Sequence, residues 1–232
     1  MPDNSEQRAE LTCPWWVAGV LTVCFVVLAI LAEGPNTLQI DIEVSAWVQG
    51  FDSPFAEWLA EFGDIVGGSI FAIAMLIVGL AVMGWLKRRR ELWFIAIAAV
   101  GRLAAMLLKG MLDSPRPTSE QVETSRLYDG YGFPSGHTTT AAIVVGTLAF
   151  LIARQVPSRG VRVLLGVVWA LGIAVTAYAR IWHGAHWFTD TVGGATVGIV
   201  VVIVAANISA VMAPATVQSS ATQTPPPQTT AQ

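Results

Sequence analysis

The sequence predicts an all-α, polytopic membrane protein: six transmembrane helices in a bundle, with a polar site at the extracytoplasmic face. Three observations carry this. Apolar runs of about 18 residues or more recur along the chain, each long enough to cross roughly 30 Å of hydrocarbon as a helix. Only 12% of the 232 residues are charged, against about a quarter in soluble domains. The charges are also segregated, with basic residues in some connecting segments and acidic residues in others. Lipid offers backbone groups no hydrogen-bond partners, so helices are the structure such runs adopt.

The first span covers 15–32, behind a cytoplasmic segment 1–14. Its flank carries Asp3, Glu6 and Glu10, and its apolar core is longer than that of a signal peptide, so it is expected to be retained as an anchor. Residues 35–63 are too many for a turn and too polar to span. Within them Phe55, Trp58, Leu59 and Phe62 recur at i, i+3, i+4 and i+7, with Glu57 and Glu61 on another face. That pattern predicts an interfacial amphipathic helix over about 54–63, either a lid on the bundle or a guide for lipid. The remaining spans fall at 65–86, 92–112, 136–154, 162–181 and 190–212, closing a six-helix domain over 15–213. The tail, 214–232, is built of Ala, Thr, Gln, Ser, Val and Pro with no charge and no aromatic ring, a composition that predicts disorder.

Charge placement predicts the orientation. Lys87, Arg88, Arg89 and Arg90 follow the second span, and Arg154, Arg159 and Arg162 border the loop after the fourth. Between the first two spans lie Glu33, Asp41, Glu43, Asp52, Glu57, Glu61 and Asp64, with no Lys or Arg. The positive-inside rule then places both termini in the cytoplasm of a cell-membrane protein, with the loops after spans three and five outside. Cys13 and Cys24 are the only cysteines; on one helix they stand about 16 Å apart, too far for a disulfide, and they read as packing residues.

Three strings carry the chemistry: Lys109-x6-Arg116-Pro117, Pro134-Ser135-Gly136-His137 and Arg180-x5-His186-x3-Asp190. All three border the loops expected outside. Lys109, Arg116 and Arg180 are cations at or near span ends, where a charge is costly and commonly marks function. Arg presents a planar fork that matches phosphate oxygens, and Lys adds a point charge. Snorkelling to the interface explains any one of them; it does not explain three beside two histidines. Pro134-Ser135-Gly136 opens a helix whose first N–H groups lack intrahelical partners, an anion site beside His137. His186 and Asp190 share a face if their turn is helical, so the carboxylate can hold one ring nitrogen and leave the other nucleophilic.

These residues resemble the type 2 phosphatidic acid phosphatase family, which also includes haloperoxidase-like members and whose motifs are Lys-x6-Arg-Pro, Pro-Ser-Gly-His and Ser-Arg-x5-His-x3-Asp. The resemblance covers 109–190 directly, and the six-span layout extends it over most of the chain. It implies a phosphatase that needs no metal or other cofactor. His186 attacks phosphorus to give a phosphohistidine, Asp190 orients it and His137 protonates the leaving oxygen. Lys109, Arg116, Ser135, Gly136 and Arg180 bind the phosphoryl oxygens. The chain departs from the pattern at Ala179, where the family has Ser, which removes one hydroxyl and leaves every proton-transfer group in place.

Two neighbours stand apart. His183 precedes His186 by three but lacks the spacing from Arg180, and reads as a rim or packing residue. Arg102 lies mid-span, seven residues before Lys109 on nearly the same helical face, with a backbone partner or a second phosphate as alternatives. A metal site built from His137, His183, His186 and Asp190 has suitable ligands, but Lys109, Arg116 and Arg180 would repel a cation. A serine hydrolase using Ser135 leaves the three cations unexplained. Transfer of the phosphoryl group to an alcohol, and lipid-phosphate binding without turnover, both fit the same motifs. The expected partner is an amphiphilic lipid phosphate or diphosphate such as phosphatidate, phosphatidylglycerol phosphate or a polyprenyl diphosphate. Nothing points to nucleic acid, and no interface pattern reveals an oligomeric state.

Overall fold

A computed structural model describes residues 13–34, 37–125 and 128–212. Eight helices are present among them and no strand: α1 (Trp15–Ala32), α2 (Gln39–Gln49), α3 (Pro54–Gly67), α4 (Ser69–Trp85), α5 (Arg89–Lys109), α6 (Gly136–Ala153), α7 (Arg159–Trp182) and α8 (Phe188–Met212). α1, α5, α6, α7 and α8 are each long and apolar enough to span a membrane, and the bent pair α3–α4 makes a sixth candidate. The disordered tail expected over 214–232 lies outside the described residues, as does the segment 1–14 apart from Cys13 and Pro14.

α8 is the central post, packed on α1, α5, α6, α7 and α2. Small residues let it approach: a Cβ at Gly198 would stand 2.5 Å from the Ala142 Cβ, and one at Gly194 would stand 2.5 Å from the Ser135 carbonyl. Such contacts replace the hydrophobic drive that lipid does not supply. Phe94, Ile95, Ala98, Ile143, Leu151, Val202, Ala205 and Ala206 fill the space between α5, α6 and α8. α6 and α8 run parallel. At one end the Ser135 N–H donates to the Asp190 carbonyl; at the other, Arg154 donates to the Ala206 carbonyl and stacks over Phe150. The basic cluster and the three motif strings therefore occupy opposite ends of the bundle.

The segment before the second span departs from expectation in two ways. The span expected at 65–86 is shorter, Ser69–Trp85, and the amphipathic helix is longer, Pro54–Gly67. They meet at Gly68, whose extended backbone (φ −71°, ψ 149°) bends the pair by 48°. α3 lays its small face, Ala56, Ala60, Gly63 and Gly67, on α7, while Phe55, Trp58 and Phe62 stack outward with centroids 6.0 and 5.7 Å apart. α2 was not expected at all. Its buried face is partly polar, with Asp41 and Ser45 beside Val48, so hydrophobic periodicity could not reveal it.

Candidate active site

Each motif spacing has a local structural cause. α7 ends at Trp182, and Gly184 then takes φ +62°, where a Cβ would collide with the Glu123 carbonyl. This turn folds the chain back so that the N–H groups of Ala185 and His186 both donate to the Arg180 carbonyl (2.9 and 3.2 Å). Five intervening residues thus return His186 to the level of Arg180. The three residues that follow open α8, placing Asp190 one turn on.

There His186 Nδ1 donates to Asp190 Oδ2 at 3.1 Å, and the Trp187 N–H donates to the same oxygen at 3.1 Å. A carboxylate only accepts, so the ring proton occupies Nδ1 and the lone pair is on Nε2. Nε2 lies 3.3 Å from Arg116 Nη1. Burial, reinforced by Lys109, Arg116, Arg180 and His137, holds the His186 ring well below the usual histidine range, keeping it neutral.

The cations converge from three elements. Lys109, the last residue of α5, donates to the carbonyls of Gly132 and Pro134 (3.0 and 3.1 Å). Arg116, in the loop after α5, donates to the carbonyls of Gly130 (3.0 Å) and Ala185 (2.6 Å). Arg180, only 2% exposed, pairs with Asp64 through Nη1 and Oδ1 at 2.6 Å. The Tyr128 ring lies between the two guanidinium groups, 5.8 Å from Arg116 and 5.4 Å from Arg180.

Together with Pro134, Gly136, His137 and His186, these side chains line a cavity of about 340 Å³. The start of α6 faces it, and Gly136 has nothing within 4 Å of where a Cβ would stand. The N–H groups of the first turn and the positive end of the helix dipole therefore point at open space. The arrangement can hold a tetrahedral oxyanion between three cations and a helix start, with an imidazole lone pair behind it.

Of the residues singled out in the sequence, Lys109, Arg116, Gly136, His137, Arg180, His186 and Arg102 line the cavity. Ser135 and Asp190 are fully buried behind it: Ser135 Oγ accepts from Thr138 Oγ1 (3.2 Å), and its N–H ties α6 to α8. His183 points elsewhere, with Nε2 3.5 Å from Asp64 Oδ2, and among the described residues no cluster of His, Cys, Asp and Glu could hold a metal. Ala179 is fully buried and its Cβ would lie 2.8 Å from a Cβ on Gly63, so the position where the family has Ser belongs to the α3–α7 contact.

Sequence reasoning missed Asp64, Tyr128 and Asp41. Asp41, 2% exposed, accepts from the N–H and Oγ1 of Thr189, both at 2.8 Å, and so caps the start of the helix that carries Asp190. Burial pushes its carboxyl above the usual range, and the Thr189 hydrogen bonds offset this only in part. The one available signal was that Asp41 and Asp64 sit in a segment of seven acids without a single Lys or Arg.

Fold and site define the class: a polytopic helical membrane protein with a cationic, histidine-bearing cavity at one end of its bundle. The model of the PAP2 superfamily matches residues 90–211, more than half of the chain, and the protein belongs to that superfamily. Phosphatidylglycerophosphatase B of Bacillus subtilis (strain 168) is 25% identical over 140 residues, 58% of this chain. The match spans 66% of that relative's length, just short of two thirds. The crystal structure of the transmembrane PAP2-type phosphatidylglycerolphosphate phosphatase from Bacillus subtilis superposes with a TM-score of 0.75 at 18% identity, covering 86% of this chain and 98% of that one. Aquifex aeolicus LpxE gives 0.55 at 21% identity, covering 76% and 98%. At these identities the two structures establish the shared fold.

Proposed function

We propose that the protein is a lipid-phosphate phosphatase of the cell membrane, working through a phosphohistidine at its extracytoplasmic face. The observation that carries this reading is His186, held through Nδ1 by Asp190, with Nε2 facing a cavity lined by Lys109, Arg116 and Arg180. His186 Nε2 attacks phosphorus. The bond to the lipid oxygen breaks, and that oxygen takes its proton from His137. Water then attacks the phosphohistidine, giving up a proton to His137 and releasing phosphate and free His186. The cations and the α6 amides stabilise the charge that builds on the equatorial oxygens, the task a divalent ion performs in other phosphatases. The name of the Bacillus subtilis relative, phosphatidylglycerophosphatase B, supports a lipid phosphate as substrate. The basic cluster at the opposite end of the bundle supports an outward-facing site.

The test is phosphate release by purified protein in detergent with excess EDTA, from phosphatidate, phosphatidylglycerol phosphate and a polyprenyl diphosphate. Release that survives EDTA and disappears in His186→Ala is expected, with 32P from labelled lipid held on the protein after an alkaline quench, where a phosphohistidine is stable, in wild type alone. Release abolished by EDTA, or retained in the variant, overturns the reading.

A further inference from the structure

We propose that Arg102, with Ser69 and Thr140, forms a second anion subsite, for a phosphate that stays on the lipid after the terminal phosphate is removed. The inference rests on the phosphatase reading above and narrows its substrate class.

Arg102 lies within α5 with no ion-pair partner among the described residues. The contrast with the other interior arginines is informative. Arg180 has Asp64, and Arg154 has two aromatic faces as well as the Ala206 carbonyl. Among the described residues Arg102 holds two neutral hydroxyls: Nε donates to Thr140 Oγ1 at 3.0 Å and Nη2 to Ser69 Oγ at 3.2 Å. A hydroxyl that accepts from a guanidinium still has its own proton to donate. Arg102, Ser69 and Thr140 all line the cavity that contains His186, so an anion there gains one cation and two hydroxyl donors. A cation placed in a membrane span without a carboxylate marks a functional site by default.

The position of the subsite fixes what it reads. Arg102 is about 10 Å below Lys109 along α5, at 1.5 Å per residue, and on nearly the same face. His137 lies between the two levels. Its Cβ would stand 2.8 Å from a Cβ on Gly67, two residues before Ser69. Beyond Arg102 an apolar groove of about 110 Å³ opens between α4, α5 and α6, lined by Ala72, Leu76, Ile95, Ala98, Ile143 and again Arg102. Descending from the outer end, the cavity presents a cation cage, the proposed acid, Arg102 and then hydrocarbon. That order matches a terminal phosphate, its leaving oxygen, a retained phosphate and a lipid chain. Phosphatidate retains no anion at that level. A polyprenyl diphosphate retains one directly on the leaving oxygen, and phosphatidylglycerol phosphate retains one across a glycerol.

The experiment measures kcat/KM on these three lipids in mixed micelles for wild type, Arg102→Gln, Arg102→Lys and Ser69→Ala with Thr140→Ala. Monodispersity and thermal midpoint are checked for each protein. Arg102→Gln is expected to lower kcat/KM on the two-phosphate lipids about tenfold more than on phosphatidate, chiefly through KM, and Arg102→Lys to recover part of that loss. The Ser69/Thr140 variant should shift selectivity in the same direction, which keeps the test available if Arg102→Gln does not fold. The two-phosphate lipid with the larger selective loss identifies the spacing. Loss by one common factor on all three lipids, in both Arg102→Gln and the hydroxyl variant, overturns the subsite and leaves the phosphatase reading intact. A wild type that releases phosphate from none of them overturns the phosphatase reading itself, and the subsite with it.

Discussion

Replacing Asp64 by Asn tests whether the cation cage is held in shape by an acid that lies outside the three motif strings. Asp64 Oδ1 accepts from Arg180 Nη1 at 2.6 Å, with the arginine side chain 3% and the aspartate side chain 29% exposed. Asn keeps the acceptor and removes the charge. The bond stays charge-assisted through Arg180, so what is lost is the ion-pair attraction, about 0.2–1 kcal/mol for exposed pairs and about 1–1.5 kcal/mol where one partner is as buried as Arg180. The partial exposure of Asp64 keeps the effect well below the roughly 3–5 kcal/mol of breaking a fully buried pair. If that energy orients Arg180 toward the substrate, kcat/KM falls about five- to tenfold, at about 1.4 kcal/mol per decade. The assay is phosphate release in a double-mutant cycle with Arg180→Gln. Once Arg180 is gone, Asp64→Asn should cost little more. If the two losses multiply, Asp64 does not act through Arg180 and the reasoning fails.

Two further predictions follow from groups beside the cage. Asp41→Ala leaves the N–H and hydroxyl of Thr189 without their acceptor at the start of α8, and should destabilise the protein by about 2–4 kcal/mol. A lower thermal midpoint in detergent, with a smaller deficit in Asp41→Asn, is the expected result; an unchanged midpoint refutes the capping role. The second concerns pH. Because burial and neighbouring cations depress the His186 pKa, the unprotonated ring persists below the ordinary histidine value of about 6.5. The acid limb of kcat/KM, which reports the free enzyme, should therefore lie below pH 6.5. A limb centred at or above that value contradicts the assigned environment.

The spans were legible because lipid imposes a simple rule: long apolar runs become helices, and α5 to α8 fall close to where their hydropathy places them. The three motif strings were legible for a related reason, since cations and histidines at the edges of such runs have few structural uses. What escaped notice follows the opposite logic. α2 turns Asp41 and Ser45 inward, so its buried face looks like a solvated one. Asp64 is one of seven acids in its segment, and only the fold reveals which of them meets Arg180. The break expected near residue 64 falls at Gly68 instead, because the small face of α3 continues through Gly63 to Gly67, a packing that aromatic periodicity does not record. Ala179 was readable only as a missing hydroxyl. Its place against Gly63 shows it as part of a close helix contact.

The tie between Ser135 and Asp190 also bears on biosynthesis. The carboxylate that steadies His186 belongs to α8, the post against which α1, α5 and α6 pack. Arg102, Lys109 and Arg116 all precede that post in the chain, so the cations are synthesised before the carboxylate that holds His186. α8 therefore supplies both the packing that closes the bundle and the carboxylate that orients His186, and a nascent chain truncated before Asp190 carries the cations but no oriented histidine.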